Sequence, residues 1–179
     1  IRAMYNTNVF GVMNTSREVL PIMRRQKGGV IVNVTSVVGN VGIPATSTYS
    51  STKFAVQGLS EAMAIEYAPF NVRIKTVAPG AFGTNFTAAT VNDMERGDEE
   101  VQAYTGKLVE HFVSVIEQFR TQSGKEADPQ DVADIIFKCA TEETPIHNVA
   151  GDDAEMMLGM KNSLSHQEFL KKVTEMVMP

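Results

Sequence analysis

Tyr49 and Lys53 stand four residues apart in the stretch Thr48 to Phe54, Thr-Tyr-Ser-Ser-Thr-Lys-Phe. On a helix that spacing puts a phenol and an ammonium on one face, one turn from each other. A tyrosine hydroxyl titrates near 10, and bringing it to about 7 takes roughly 4 kcal/mol of preference for the phenolate. A cation at about 4 Å in a partly buried place supplies energy of that order before desolvation is subtracted. So arranged, the pair is a general acid and base for work near neutral pH. Tyrosine and lysine also fall at this spacing by chance on many surface helices, so the surrounding elements must carry the reading.

The pair needs a helix, and Thr46 to Ala68 supplies one, rich in alanine and with Val56, Leu59, Met63 and Ile65 as apolar positions. Small residues at Ser50, Ser51, Ala55, Gly58 and Ala62 let another backbone come close. Ahead of it, Val30 to Ser36 is a β-branched run of the kind buried on both faces of a parallel sheet. Ser36 falls at its carboxyl end, where open α/β sheets place their sites. Gly39, Gly42 and Pro44 mark the loop between. Further upstream, Arg2 to Arg25 reads as a long helix with flaws at Gly11 and Pro21. The proline predicts a kink or a loosened last turn, and Asn8 sits where such a helix is open to local loosening. Lys27-Gly28-Gly29 ends it with residues suited to a left-handed cap.

Downstream, Val72 to Val77 reads as a second strand, broken by Ala78-Pro79-Gly80. Thr84 to Asp98 is polar and reads as loop. Val101, Tyr104, Leu108, Phe112, Val115, Ile116 and Phe119 recur at three and four, predicting an amphipathic helix over Glu99 to Arg120. Asp128 followed by Pro129 is a helix start, with the helix running through Cys139. A short strand over Ile146 to Ala150 follows, and Gly151-Asp152-Asp153-Ala154 opens a methionine-rich helical end. Alternating strands and helices predict one α/β domain over residues 1–179, a parallel sheet with helices on both faces.

Composition bounds the function. The chain has 179 residues, 43% hydrophobic and 21% charged, which suits one globular domain and excludes a disordered or fibrous one. A net charge of −5 without a basic run argues against a nucleic-acid partner. No apolar run is long enough for a membrane span and the first residues lack the parts of a signal peptide, so a cytoplasmic address is expected. Cys139 is the single cysteine, expected as a buried thiol, and the three histidines lack ligand spacing, so no metal is expected.

Taken together, these residues resemble the short-chain dehydrogenases/reductases. Tyr-x-x-x-Lys is present as Tyr49 and Lys53, a serine stands thirteen residues before the tyrosine as Ser36, and Asn8-Val9-Phe10-Gly11 matches the family's asparagine in the preceding helix. Pro-Gly-x-x-x-Thr is present as Pro79, Gly80 and Thr84. The resemblance implies an incomplete Rossmann-like doubly wound sheet. It implies NAD or NADP as cofactor, with Tyr49, Lys53, Pro79, Gly80, the Phe82 backbone and Thr84 at the cofactor and Asn8, Ser36, Tyr49 and Lys53 as the catalytic set. Tyr49 would exchange a proton with a carbonyl or alcohol oxygen, Ser36 would orient that oxygen, and Lys53 would hold the nicotinamide ribose and lower the Tyr49 pKa. Asn8 would position a water linking Lys53 to solvent.

The same resemblance implies a small-molecule carbonyl or alcohol substrate, apolar given Tyr104, Phe112 and Phe119, covered by a segment at about 85–127. It implies a homodimer or homotetramer built on the two long helices. Lys75 stands where many members have asparagine, and Thr35 where serine is common. The larger departure is that the family's glycine-rich turn and first two βαβ units, roughly 60 residues, have no counterpart in this sequence. The sequence therefore reads as the carboxyl-terminal part of a longer reductase that alone binds dinucleotide weakly. The competing expectation is a catalytically silent scaffold acting in assembly or binding, which would have no need of the four catalytic residues together.

Overall fold

The computed structural model describes residues 1–84, 98–123 and 127–178. Its layers are written into one strand. Along β2 (Val72–Pro79), Val72 and Ile74 pack with Leu20 and Met63, while Val77 packs with Cys139 and Ala150. Successive side chains of a strand point to opposite faces, so a strand apolar at both parities must be covered on both. β1 (Gly29–Val34) repeats the pattern, Ile31 joining the first cluster and Val32 the second.

Three parallel strands form the sheet in the order β1-β2-β3, with β3 at His147–Ala150. The register pairs Gly29 with Val72 through Val34 with Val77, and Thr76 with His147 through Pro79 with Ala150. The parallel sheet with helices on both faces is thus present. Buried Thr35 closes the β1 end, its amide and hydroxyl both donating to Val77 O at 2.7 and 3.1 Å. Lys75 is buried as well and sends its ammonium to Thr144 O.

The first helical stretch runs as far as expected but not uniformly. α1 (Arg2–Tyr5) passes into a π-helical turn over Asn6–Phe10 and then α2 (Gly11–Gln26), which continues through Pro21. Its left-handed cap is Lys27 at φ 55°, one position ahead of the two glycines, with Gly28 N–H donating to Met23 O. α3 (Ser47–Tyr67) lies beside α2 and β2, and Asn33 of β1 donates to Ser60 of α3 at 2.9 Å in the interior. An open groove of about 500 Å³ runs between α2 and β1, lined in part by Thr7, Thr15, Val30 and Asn33, and away from Tyr49.

Beyond β2 come α4 (Glu99–Ser123) and α5 (Pro129–Thr141), the latter capped by Asp128, whose carboxylate accepts Gln130 N–H at 2.8 Å. Buried Cys139 lies on α5 against Val77. The methionine-rich end is two helices, α6 (Asp152–Ser163) and α7 (His166–Val177), the second started by a Ser165–Glu168 capping box. Phe169, Val173 and Val177 of α7 join Val38, Val41 and Ile43 in a core beside Tyr49. No helix among the described residues is long and apolar enough to cross a membrane. Most of the loop expected at Thr84 to Asp98, part of the segment at about 85–127, and the side chains of Phe112 and Phe119 lie outside the described residues.

Candidate active site

Parallel strands all end on one side of their sheet, and the chain turns there gather what the strands deliver. β1 delivers Ser36, which caps a short 3₁₀ turn over Val37–Gly39, its Oγ accepting Val38 N–H at 3.3 Å. That turn lies flat on α3: a Cβ on buried Gly39 would sit 3.0 Å from the Lys53 backbone, closer than atoms normally come. The close approach carries Ser36 to the face of α3 that holds Tyr49 and Lys53. Ser36 hydrogen-bonds the Tyr49 side chain and reaches Pro79 O, at the end of β2, at 3.5 Å.

Tyr49 is half-buried, and burial pushes its phenol above the ordinary 10.0, while the Ser36 hydrogen bond pulls the other way. Burial acts oppositely on Lys53, whose ammonium falls below 10.5. Lys53 Nζ lies 5.6 Å from the Tyr49 ring centroid and donates to Val34 O at 3.0 Å. In this arrangement the lowering of the phenol expected from Lys53 does not prevail, and desolvation dominates.

Asn8 sits in the π-helical turn and donates to Thr52 Oγ1 at 3.1 Å. Thr52, fully buried, in turn donates to Tyr49 O at 2.7 Å. Wide turns of this kind shift one residue out of the helical register and recur at functional sites. Asn8, Ser36, Tyr49, Lys53 and Pro79 are therefore joined by hydrogen bonds or shared helix turns at the carboxyl end of the sheet. Gly80 follows Pro79. Phe82 directs its ring into the cluster of Val77, Cys139 and Ala150, and Thr84 is exposed at the limit of the described segment.

Two participants were not singled out from sequence. Thr52 carried a signal, lying one helical turn from Tyr49 on the buried side of α3. Asp153 carried less: only the Gly-Asp-Asp-Ala run after an apolar strand hinted that its carboxylate, in the first turn of α6, accepts Ala81 N–H at 2.8 Å. A further polar cluster lies away from these residues, where His147 meets Gln57 at 2.6 Å, Thr76 at 3.0 Å and Glu61 at 3.0 Å.

Comparison with known proteins bears on this arrangement. Residues 1–95 match the family described as short chain dehydrogenase. The chain is 32% identical over 142 residues to the uncharacterized oxidoreductase YusZ of Bacillus subtilis, covering 79% of this chain and 49% of that protein. It spans about half the length of the curated relatives it matches. Among solved structures it resembles a short-chain dehydrogenase from Streptomyces avermitilis, with TM-score 0.66 and 28% identity over 90% of this chain and 57% of that one. It also resembles ElxO, solved with NADP bound, with TM-score 0.59 and 27% identity over 83% of this chain and 54% of that one.

Proposed function

The chain belongs to the short-chain dehydrogenases, and from that premise we propose that it carries the acid–base half of an oxidoreductase. The reaction interconverts a carbonyl and an alcohol using NAD or NADP, and the activity is that of the whole protein. One observation carries the reading: Tyr49 is hydrogen-bonded by Ser36 and followed one turn later by Lys53, at the carboxyl end of β1 and beside Pro79 at the end of β2. Relatives and structural neighbours that are oxidoreductases, one of them holding NADP, support it.

The donor set fits a dinucleotide. Lys53 spends one hydrogen bond on Val34 O, leaving N–H groups for ribose hydroxyls. The turn from Pro79 through Phe82 to Thr84 begins beside Ser36, at Pro79 O, and its backbone and the Thr84 hydroxyl are groups that suit a carboxamide. When bound, the dinucleotide supplies or accepts the hydride. Tyr49 Oη gives a proton to the carbonyl oxygen in one direction and takes it from the alcohol in the other. Ser36 Oγ holds that same oxygen and aims it, and the Asn8 and Thr52 pair fixes the helix turn that presents Tyr49.

An apolar substrate suits the surroundings, since Tyr49 packs against a cluster with Val37, Met157, Met160 and Met176 beside it. Association through α2 and α3, as a homodimer or homotetramer, belongs to the same proposal, because Met13 and Ile65 stand exposed there. The test is NAD(P)H consumption by the full-length protein over a panel of ketones and aldehydes, repeated with Tyr49→Phe. Loss of about a hundredfold or more in turnover supports the assignment; unchanged turnover sinks it.

A further inference from the structure

The end of β2 meets the start of α6 through a carboxylate lodged between two glycines. A Cβ on Gly80 would overlap both Asp153 oxygens, and one on Gly151 would come within 2.7 Å of Asp153 Oδ1. Gly151 has φ 100°, a left-handed conformation that only glycine holds without strain. The slot therefore exists because both flanking residues lack a side chain, and Asp153 fills it. From there its Oδ2 accepts Ala81 N–H at 2.8 Å, while Gly80 N–H donates to Ala150 O at 2.8 Å and the Phe82 ring lies against Gly151. Three successive residues after Pro79 are thus tied to one short stretch, Ala150 to Asp153. Placement in the first turn of α6 favours the carboxylate there, since the helix amide dipoles point toward it.

We propose that Asp153 is a positioning residue: by holding Ala81 it sets the backbone of the Pro79 to Phe82 turn against which the dinucleotide binds. This rests on the cofactor reading given above for that turn. The mechanism is geometric. Ala81 N–H is satisfied from the α6 side, so the peptide plane that carries it is fixed, between Pro79, whose carbonyl Ser36 reaches, and Phe82, whose ring faces the core. Without the carboxylate the turn loses its tie to the first turn of α6, and the Ala81 peptide is held less tightly than the Gly80 to Ala150 bond and the ring contact hold its neighbours.

The test uses the full-length protein with Asp153→Ala and Asp153→Asn. Amide hydrogen exchange without any ligand reads the tie itself. Exchange at Ala81 is expected to quicken by about tenfold or more in Asp153→Ala, and to stay near the original in Asp153→Asn, which keeps an acceptor oxygen. The Michaelis constant for NAD(P)H reads its consequence, and should rise several-fold in Asp153→Ala with a smaller change in kcat, the asparagine variant again restoring it. Unchanged exchange at Ala81 in Asp153→Ala overturns the proposal. So does quickened exchange with an unmoved Michaelis constant, which would leave Asp153 a structural tie alone. Failure of the unaltered protein to consume NAD(P)H at all would instead refute the cofactor reading, and the positioning role with it.

Discussion

Asn8 of the π-helical turn donates to Thr52 Oγ1 at 3.1 Å, joining the first helical stretch to the helix of Tyr49 and Lys53. Thr52 passes the connection to the Tyr49 carbonyl at 2.7 Å, so one hydroxyl fixes both partners. Thr52→Val keeps the shape and removes the hydroxyl. It is expected to cost about 1 to 2 kcal/mol of stability, the order of one or two lost internal hydrogen bonds. Turnover should fall as well, because Asn8 is no longer held. Thermal melting and turnover on the same samples check both, and an unaltered melt would show that the bridge contributes nothing.

The direction of the Tyr49 shift predicts how rates follow pH. Burial holds the phenol above 10.0, so at neutral pH it is protonated and ready to act as an acid. Carbonyl reduction is expected to be nearly flat from about pH 6 to 8, while alcohol oxidation, which needs the phenolate, climbs through the alkaline range. Initial rates in both directions across pH are the measurement. Oxidation already at its plateau near pH 7 would mean that the working site lowers the phenol, reversing the balance of causes seen in the structure.

Lys53 adds a prediction about stability with the opposite sign to the usual salt-bridge argument. Its folded pKa lies below the ordinary 10.5, so at neutral pH the unfolded chain holds the proton more tightly and folding is weakened. The penalty is absent above 10.5 and sets in as pH falls through that value to the folded one. Lys53→Met is therefore expected to melt no lower than the original at pH 7 while losing turnover. A clearly lower melt would show that the Val34 bond outweighs the cost of burying the cation.

The elements that place these groups were largely legible in the sequence, and the links between them were not. Val30 to Ser36, Thr46 to Ala68 and Val72 to Val77 announce themselves by β-branched runs and helical periodicity, which local chemistry imposes. Observed bounds differ from these by no more than two residues at either end, and the start at Val72 coincides. The wide turn at Asn6 to Phe10 is set instead by packing against α3, and no residue type demands it. Likewise Lys27, not a glycine, takes the left-handed position because the capping bonds to Met23 and Arg24 close there. The sequence placed Asp153 at a helix start and no further, because its role depends on Gly80, distant in sequence and adjacent only across the β2–β3 pair.

Gly39 predicts how tightly the site depends on one close approach. Its missing side chain lets the Ser36 turn rest on α3, with the Lys53 backbone 3.0 Å from where a Cβ would stand. The neighbours are the carbonyl carbon, the carbonyl oxygen and the Cβ of Lys53 in a helix interior, which cannot swing aside as the far end of a flexible side chain would. In Gly39→Ala the turn must move instead, drawing Ser36 away from Tyr49 and from Pro79 O. Overpacking of this kind costs about 1 to 3 kcal/mol. Turnover should fall alongside stability, and the hydrogen bond that lowers the Tyr49 phenol should weaken, moving the alkaline rise of alcohol oxidation to higher pH. The pH profile separates this from a general loss of stability: a profile that keeps its midpoint while the protein melts earlier would mean that Ser36 has not moved.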